Sequence, residues 1–69
     1  MTIYLNDEKL ELEQSFSLQQ ILLEKLQITP EKKGIAVAVN ETIIPKHQWA
    51  FYQLQNNDRI LVIIAAQGG

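Results

Sequence analysis

The chain has 69 residues, with eight acidic and six basic side chains for a formal net charge of −2. That length fits one domain, 1–69, and such a small domain hides only ~60% of the surface its unfolded chain would expose. There is no cysteine and a single histidine, which excludes disulfides, thiolate nucleophiles and a histidine-cysteine metal cluster. The acidic balance lacks the basic footprint of a nucleic-acid binder, and the absence of cysteine suits a reducing cytoplasm. No positively charged stretch precedes an apolar run at the N-terminus, so no signal peptide is expected. The longest apolar stretch, residues 60–66, is far short of the ~20 residues that span a bilayer, so neither membrane nor nucleic acid is an expected partner.

Residues 2–6, Thr-Ile-Tyr-Leu-Asn, are rich in β-branched and aromatic side chains and predict a strand. Asn6, Asp7 and Glu8 supply turn chemistry, and residues 9–13 then alternate strictly, with Leu10 and Leu12 on one side and charges on the other. Two such runs around a short polar turn predict a hairpin. Glu11 and Glu13 share the wet face of its second strand and read as solvated charges.

The period then changes. Leu18, Ile21, Leu22 and Leu26 follow the spacing of an amphipathic helix. Ser17 is placed to cap it, with Gln20 three residues on as the capping-box partner. Pro30 biases Thr29 away from helical angles and is expected to end the pattern. A helix of about eleven residues is of ordinary length. Lys32 and Lys33 fall in the polar connection that follows, and Gly34 can take a positive φ there.

Residues 35–40, Ile-Ala-Val-Ala-Val-Asn, predict a third strand with bulky residues on one face and alanines on the other. Something can therefore pack closely against the alanine side. Asn40-Glu41 is a turn, and residues 42–44 are a short strand confined to an edge by Pro45. A helical turn is expected around residues 47–50. A lone His47 in such a polar segment reads as a surface residue, and Trp49 as a lid on the end of the core. Asn56, Asn57 and Asp58 form another turn before a strand over residues 59–64. That strand is continuously apolar from Ile60, the pattern of one covered on both faces. One helix can cover only one face. Either a partner docks on the other, through Leu61 and Ile63 with Asp58 and Arg59 alongside, or residues 46–55 fold back over it. The order is ββαββ with one helix across one sheet face, an α+β two-layer sandwich.

The run Ala36-Val37-Ala38-Val39-Asn40-Glu41-Thr42-Ile43-Ile44-Pro45-Lys46-His47-Gln48-Trp49 resembles the middle of the ThiS family, the thiamine-biosynthesis sulfur carriers. There an alanine-and-valine strand leads into Asn, then an apolar pair with Pro, a charged residue and Trp. The turn-and-strand Asn56-Asn57-Asp58-Arg59-Ile60-Leu61, the Leu5-Asn6 pair and the Gln67-Gly68-Gly69 end are similar too. The resemblance covers essentially the whole chain and is weakest in the helix and over residues 51–55.

It implies a ubiquitin-like β-grasp fold, a mixed sheet with a flexible tail at about residues 65–69. It also implies a protein cosubstrate rather than an enzyme. A ThiF-like adenylating enzyme would activate the Gly69 carboxylate with its own ATP and Mg²⁺, so no cofactor is expected on this chain. Gln67 and Gly68 would thread the partner's active site, where a backbone without Cβ approaches nucleotide closely. A cysteine desulfurase would supply sulfur for a thiocarboxylate on Gly69, and a ThiG-like thiazole synthase would receive it. The alternatives are the small subunit of molybdopterin synthase, a lysine-conjugated modifier, or a ubiquitin-like interaction module whose Gly-Gly is incidental.

Overall fold

The computed structural model describes residues 1–65. Strands β1 (Thr2–Leu5) and β2 (Glu8–Glu11) form an antiparallel hairpin, followed by helix α1 (Leu18–Leu26). Strand β3 (Ile35–Val39) pairs with the short β4 (Thr42–Ile43), and β5 (Arg59–Ile64) closes the order. The sheet has five strands in the order β2-β1-β5-β3-β4, so β5 is the middle one. It runs parallel to β1 and antiparallel to β3, which makes the sheet mixed.

Both hairpins turn on two residues with positive φ: Asn6 and Asp7 (50° and 68°), Asn40 and Glu41 (51° and 71°). That is the backbone a two-residue type I′ turn demands, because its twist matches that of the flanking strands. Asn tolerates the left-handed region well; Glu41 does not, and its Cβ is a small standing cost there. Gly34 also takes a positive φ (78°), as expected from its place before β3.

Helix α1 begins as the sequence predicts. Ser17 Oγ accepts from Gln20 N–H at 3.2 Å, and Gln20 Oε1 accepts from Ser17 N–H at 2.9 Å, a complete capping box. It ends earlier than expected. The helix has nine residues and stops at Gln27, which adopts the left-handed conformation (φ 57°) and returns its N–H to the last turn. Pro30 therefore lies three residues beyond a terminus already made by a C-cap. Leu18, Ile21 and Leu22 are buried, whereas Leu26, on the last turn, is 38% exposed. Strand β2 also ends sooner than its alternation suggests, at Glu11, although Leu12 is still buried and exchanges hydrogen bonds with Met1.

The core lies between the helix and one sheet face: Ile3, Leu5, Val37, Val39 and Ile60 from the strands against the buried helix residues. Residues 46–55 close one end of it. A 3-10 turn at Lys46–Gln48 leads into Trp49, which is completely buried and donates from Nε1 to Ile44 O at 2.9 Å. Its chain then runs beside the helix entry, where Leu18 N–H reaches Tyr52 O and Leu54 N–H reaches Phe16 O. So this segment plugs the helix side of the sandwich and does not fold back over the outer sheet face. Among the described residues that outer face has no cover, and the expectation that β5 is buried on both faces does not hold.

Candidate functional site

Strand β5 is held along its length by β3, in a register running from Val39↔Ile60 to Ile35↔Ile64. The ladder extends one step further, with Ala65 N–H donating to Gly34 O at 2.7 Å. The polypeptide is thus pinned on the β3 side up to its last described residue. Gln67, Gly68 and Gly69, named above as the functional end, lie outside the described residues, as does most of the 65–69 tail.

The start of β5 is fixed by Asp58, which is only 7% exposed. Its Oδ1 accepts from Asn40 Nδ2 at 2.9 Å and its Oδ2 from Gln55 N–H at 2.8 Å, while its carbonyl accepts from Tyr4 N–H at 2.9 Å. One residue therefore joins the β3–β4 turn, the turn before β5 and the end of β1. A carboxylate satisfied in this way works within the chain. Asn40 returns the contact, its Oδ1 accepting from Arg59 N–H at 3.0 Å.

Arg59, Leu61 and Ile63 alternate onto the uncovered face. Leu61 is 51% exposed and Ile63 47%, unusual values for large apolar side chains on a central strand. Opposite them stand the small residues Ala38 and Ala36, and Ile43 of β4 is paired with Ala38. Ala38 is buried between its larger cross-strand neighbours Ile43 and Leu61, so the face is shallow there and rimmed by larger groups. Arg59 lies over the Tyr4 ring, 5.7 Å from its centroid, and gives the patch a positively charged border. A groove of about 390 Å³ runs along this end of the face between Tyr4, Ala38 and Leu61, with Asp7 and Glu41 on its rim.

Three of the four docking residues named from the sequence, Arg59, Leu61 and Ile63, thus share one exposed surface, whereas Asp58 is turned inward. Ala36 and Ala38, the side of β3 expected to accept a close neighbour, belong to the same face; Tyr4 and Ile43 join them there without having been named from the sequence. His47 is exposed on the 3-10 turn and Trp49 is buried, so the two do not form a joint surface. Lys32 and Lys33 are exposed, and Lys46 Nζ donates to Lys32 O at 2.6 Å. Among the described residues no group of three or more His, Cys, Asp or Glu side chains could hold a metal ion, and no helix is long and apolar enough to cross a membrane.

Comparison with known proteins places this architecture. The model of the ThiS family matches residues 2–69. The sulfur carrier protein ThiS of Escherichia coli (strain K12) is 30% identical over 69 residues, covering 100% of both chains. A crystal structure of a thiamine biosynthesis protein (ThiS) from Geobacter metallireducens superposes with a TM-score of 0.77 at 15% identity, covering 100% of each chain. A solution structure of a thiamine biosynthesis protein from the same organism gives 0.76 at 14% identity, covering 100% of this chain and 88% of the other. At such identities the two structures speak for the fold, a ubiquitin-like β-grasp, while the whole-length sequence matches speak for the lineage. The chain belongs to the ThiS family, a family of sulfur carrier proteins rather than of catalysts.

Proposed function

We propose that this chain carries sulfur for the thiazole of thiamine as a thiocarboxylate on Gly69. The observation that carries the reading is the position of β5. Strand β5 lies between β1 and β3 and is pinned on the β3 side as far as Ala65 by Gly34, so residues 66–69 follow directly from a rigid body. In the proposed sequence a carboxylate oxygen of Gly69 attacks the α-phosphorus of ATP held with Mg²⁺ by a ThiF-like enzyme, and pyrophosphate leaves. A persulfide supplied by a cysteine desulfurase then attacks the acyl carbon and AMP departs, giving an acyl disulfide. A second thiol cleaves its S–S bond, leaving the thiocarboxylate on Gly69 and a disulfide on the donor side. A ThiG-like thiazole synthase accepts the sulfur. The chain acts as cosubstrate throughout, in the cytoplasm, with ATP and Mg²⁺ belonging to its partner.

The uncovered face is the proposed docking surface for these enzymes. Leu61 and Ile63 provide the apolar centre, and Arg59 provides a charged border that guides orientation. A docking face on the strand that leads directly into residues 66–69 would bring Gly69 to the partner in register, which is the positional requirement for a weak nucleophile meeting a bound nucleotide. Pyrophosphate exchange into ATP by the cognate adenylating enzyme tests the first step. It is expected to depend on this chain and to vanish when Gly69 is deleted or when residues are appended after it. Exchange that persists in either variant contradicts the reading.

A further inference from the structure

Strand β5 is an interior strand for only half its length on the β1 side. Its even-numbered residues direct their backbone groups toward β1: Tyr4 N–H reaches Asp58 O and Asn6 N–H reaches Ile60 O, each at 2.9 Å. The parallel register then stops at Leu5↔Ile60, because the chain turns back into β2 at Asn6. Asn6 extends the ladder once more with its side chain, Oδ1 accepting from Val62 N–H at 2.9 Å. Beyond that point the Val62 carbonyl, the Ile64 N–H and the Ile64 carbonyl face a side with no neighbouring strand among the described residues. Ile64 is 68% exposed. The stretch Val62-Ile63-Ile64 carries none of the charges, prolines or bulges that usually guard a sheet edge.

Resting on the carrier reading, we propose that the adenylating enzyme lays an extended segment of its own chain along this edge, pairing with Ile64 N–H and with the carbonyls of Val62 and Ile64. Reach supports that occupant. Residues 66–69 span at most ~14 Å when fully extended. An enzyme that encloses the Gly69 carboxylate together with a nucleotide must therefore press its surface against the end of β5. Backbone donors and acceptors taken from water at such a contact need new partners, and an extended segment supplies them in the spacing the edge already sets. The pairing would also continue the direction of β5 into the arm, so that docking and threading are one movement.

The test uses the full 69-residue chain made by chemical synthesis with an ester in place of the Ile63–Ile64 amide. This change removes the Ile64 N–H and keeps every side chain. The unfolding midpoint is expected to fall only slightly, since that N–H has no partner within the described fold and the ester otherwise only weakens the Ile63 carbonyl, which faces β3, as an acceptor. Affinity for the adenylating enzyme is expected to fall roughly five- to tenfold, the usual worth of one such bond. In the unmodified complex, hydrogen exchange at the Ile64 amide is expected to slow strongly relative to the free chain. Unchanged affinity of the ester, or unprotected Ile64 in a complex that still adenylates Gly69, overturns the edge pairing and leaves the carrier reading standing. So does an edge-paired dimer of this chain that the ester dissociates. Failure of the unmodified chain to be adenylated overturns both.

Discussion

Asn40 and Asp58 are bonded side chain to side chain, Nδ2 to Oδ1 at 2.9 Å, across 18 positions of sequence. The pair ties the β3–β4 turn to the turn that launches β5, and Asp58 holds Gln55 N–H at the same time. Removing a mostly buried acceptor leaves its donors unsatisfied, at a typical cost of about 1–3 kcal/mol. Asp58→Ala is therefore expected to lower the free energy of unfolding by that amount, read as a lower urea midpoint at an unchanged slope. An unchanged midpoint would show that Asp58 is not the joint described here.

Glu41 sits at φ 71° in a two-residue turn where glycine is the preferred occupant. Glu41→Gly is expected to raise stability by roughly 0.5–1 kcal/mol and Glu41→Val to lower it. For a domain of this size a gain of 1 kcal/mol moves the melting temperature by about 4–8 °C, which calorimetry resolves easily. A Gly variant that melts below the parent contradicts the assignment of strain to this turn.

Leu61 and Ile63 are large, exposed and on the same face. Each truncation to Ala is expected to cost about 1 kcal/mol of stability, because the side chain is half covered, and to leave the fold intact. Binding to the adenylating enzyme, measured by titration calorimetry, is expected to weaken about tenfold or more, since apolar side chains at an interface centre carry much of its energy. Lost folding with no separate loss of binding contradicts the docking role.

Burial, and secondarily the Asp58 carboxylate, push the Tyr52 hydroxyl above its ordinary value of 10.0. The sign follows from linkage: the folded state holds this proton more tightly than the unfolded chain does. Its contribution is fully present below about pH 10 and is lost as pH rises from there through the folded-state value. Stability measured across the alkaline limb is expected to decline, and Tyr52→Phe to decline less steeply. Parallel curves for the two proteins rule this account out.

Much of the body is legible in the residues because its signals are local. The apolar run of β5 and the Ser17–Gln20 box correspond to the observed elements without adjustment. The helix end is not, because Pro30 is a visible breaker while a left-handed Gln27 has no strong residue signal. Trp49 as a lid on the core is readable from size and hydrophobicity; its bond to Ile44 O depends on a turn that only the fold places. Asp58 looks like turn chemistry in sequence. Its joining of three segments arises from the pairing of β5 with both β1 and β3, contacts between distant parts of the chain. The open edge at Ile64 is likewise invisible in sequence, since it depends on where β1 turns away beside it. The two asparagines share one device: each, at the first position of a hairpin turn, offers its side-chain oxygen to an N–H of β5, Asn6 to Val62 and Asn40 to Arg59.

The central claim is that sulfur rides on the carboxyl carbon of Gly69, and intact mass tests it most directly. The chain is incubated with ATP, Mg²⁺, its adenylating enzyme and a persulfide donor with excess thiol, then weighed and digested. The predicted result is the gain from replacing one oxygen by sulfur, located on the peptide that ends in Gly69. No gain, or a gain that survives deletion of Gly69, contradicts the account.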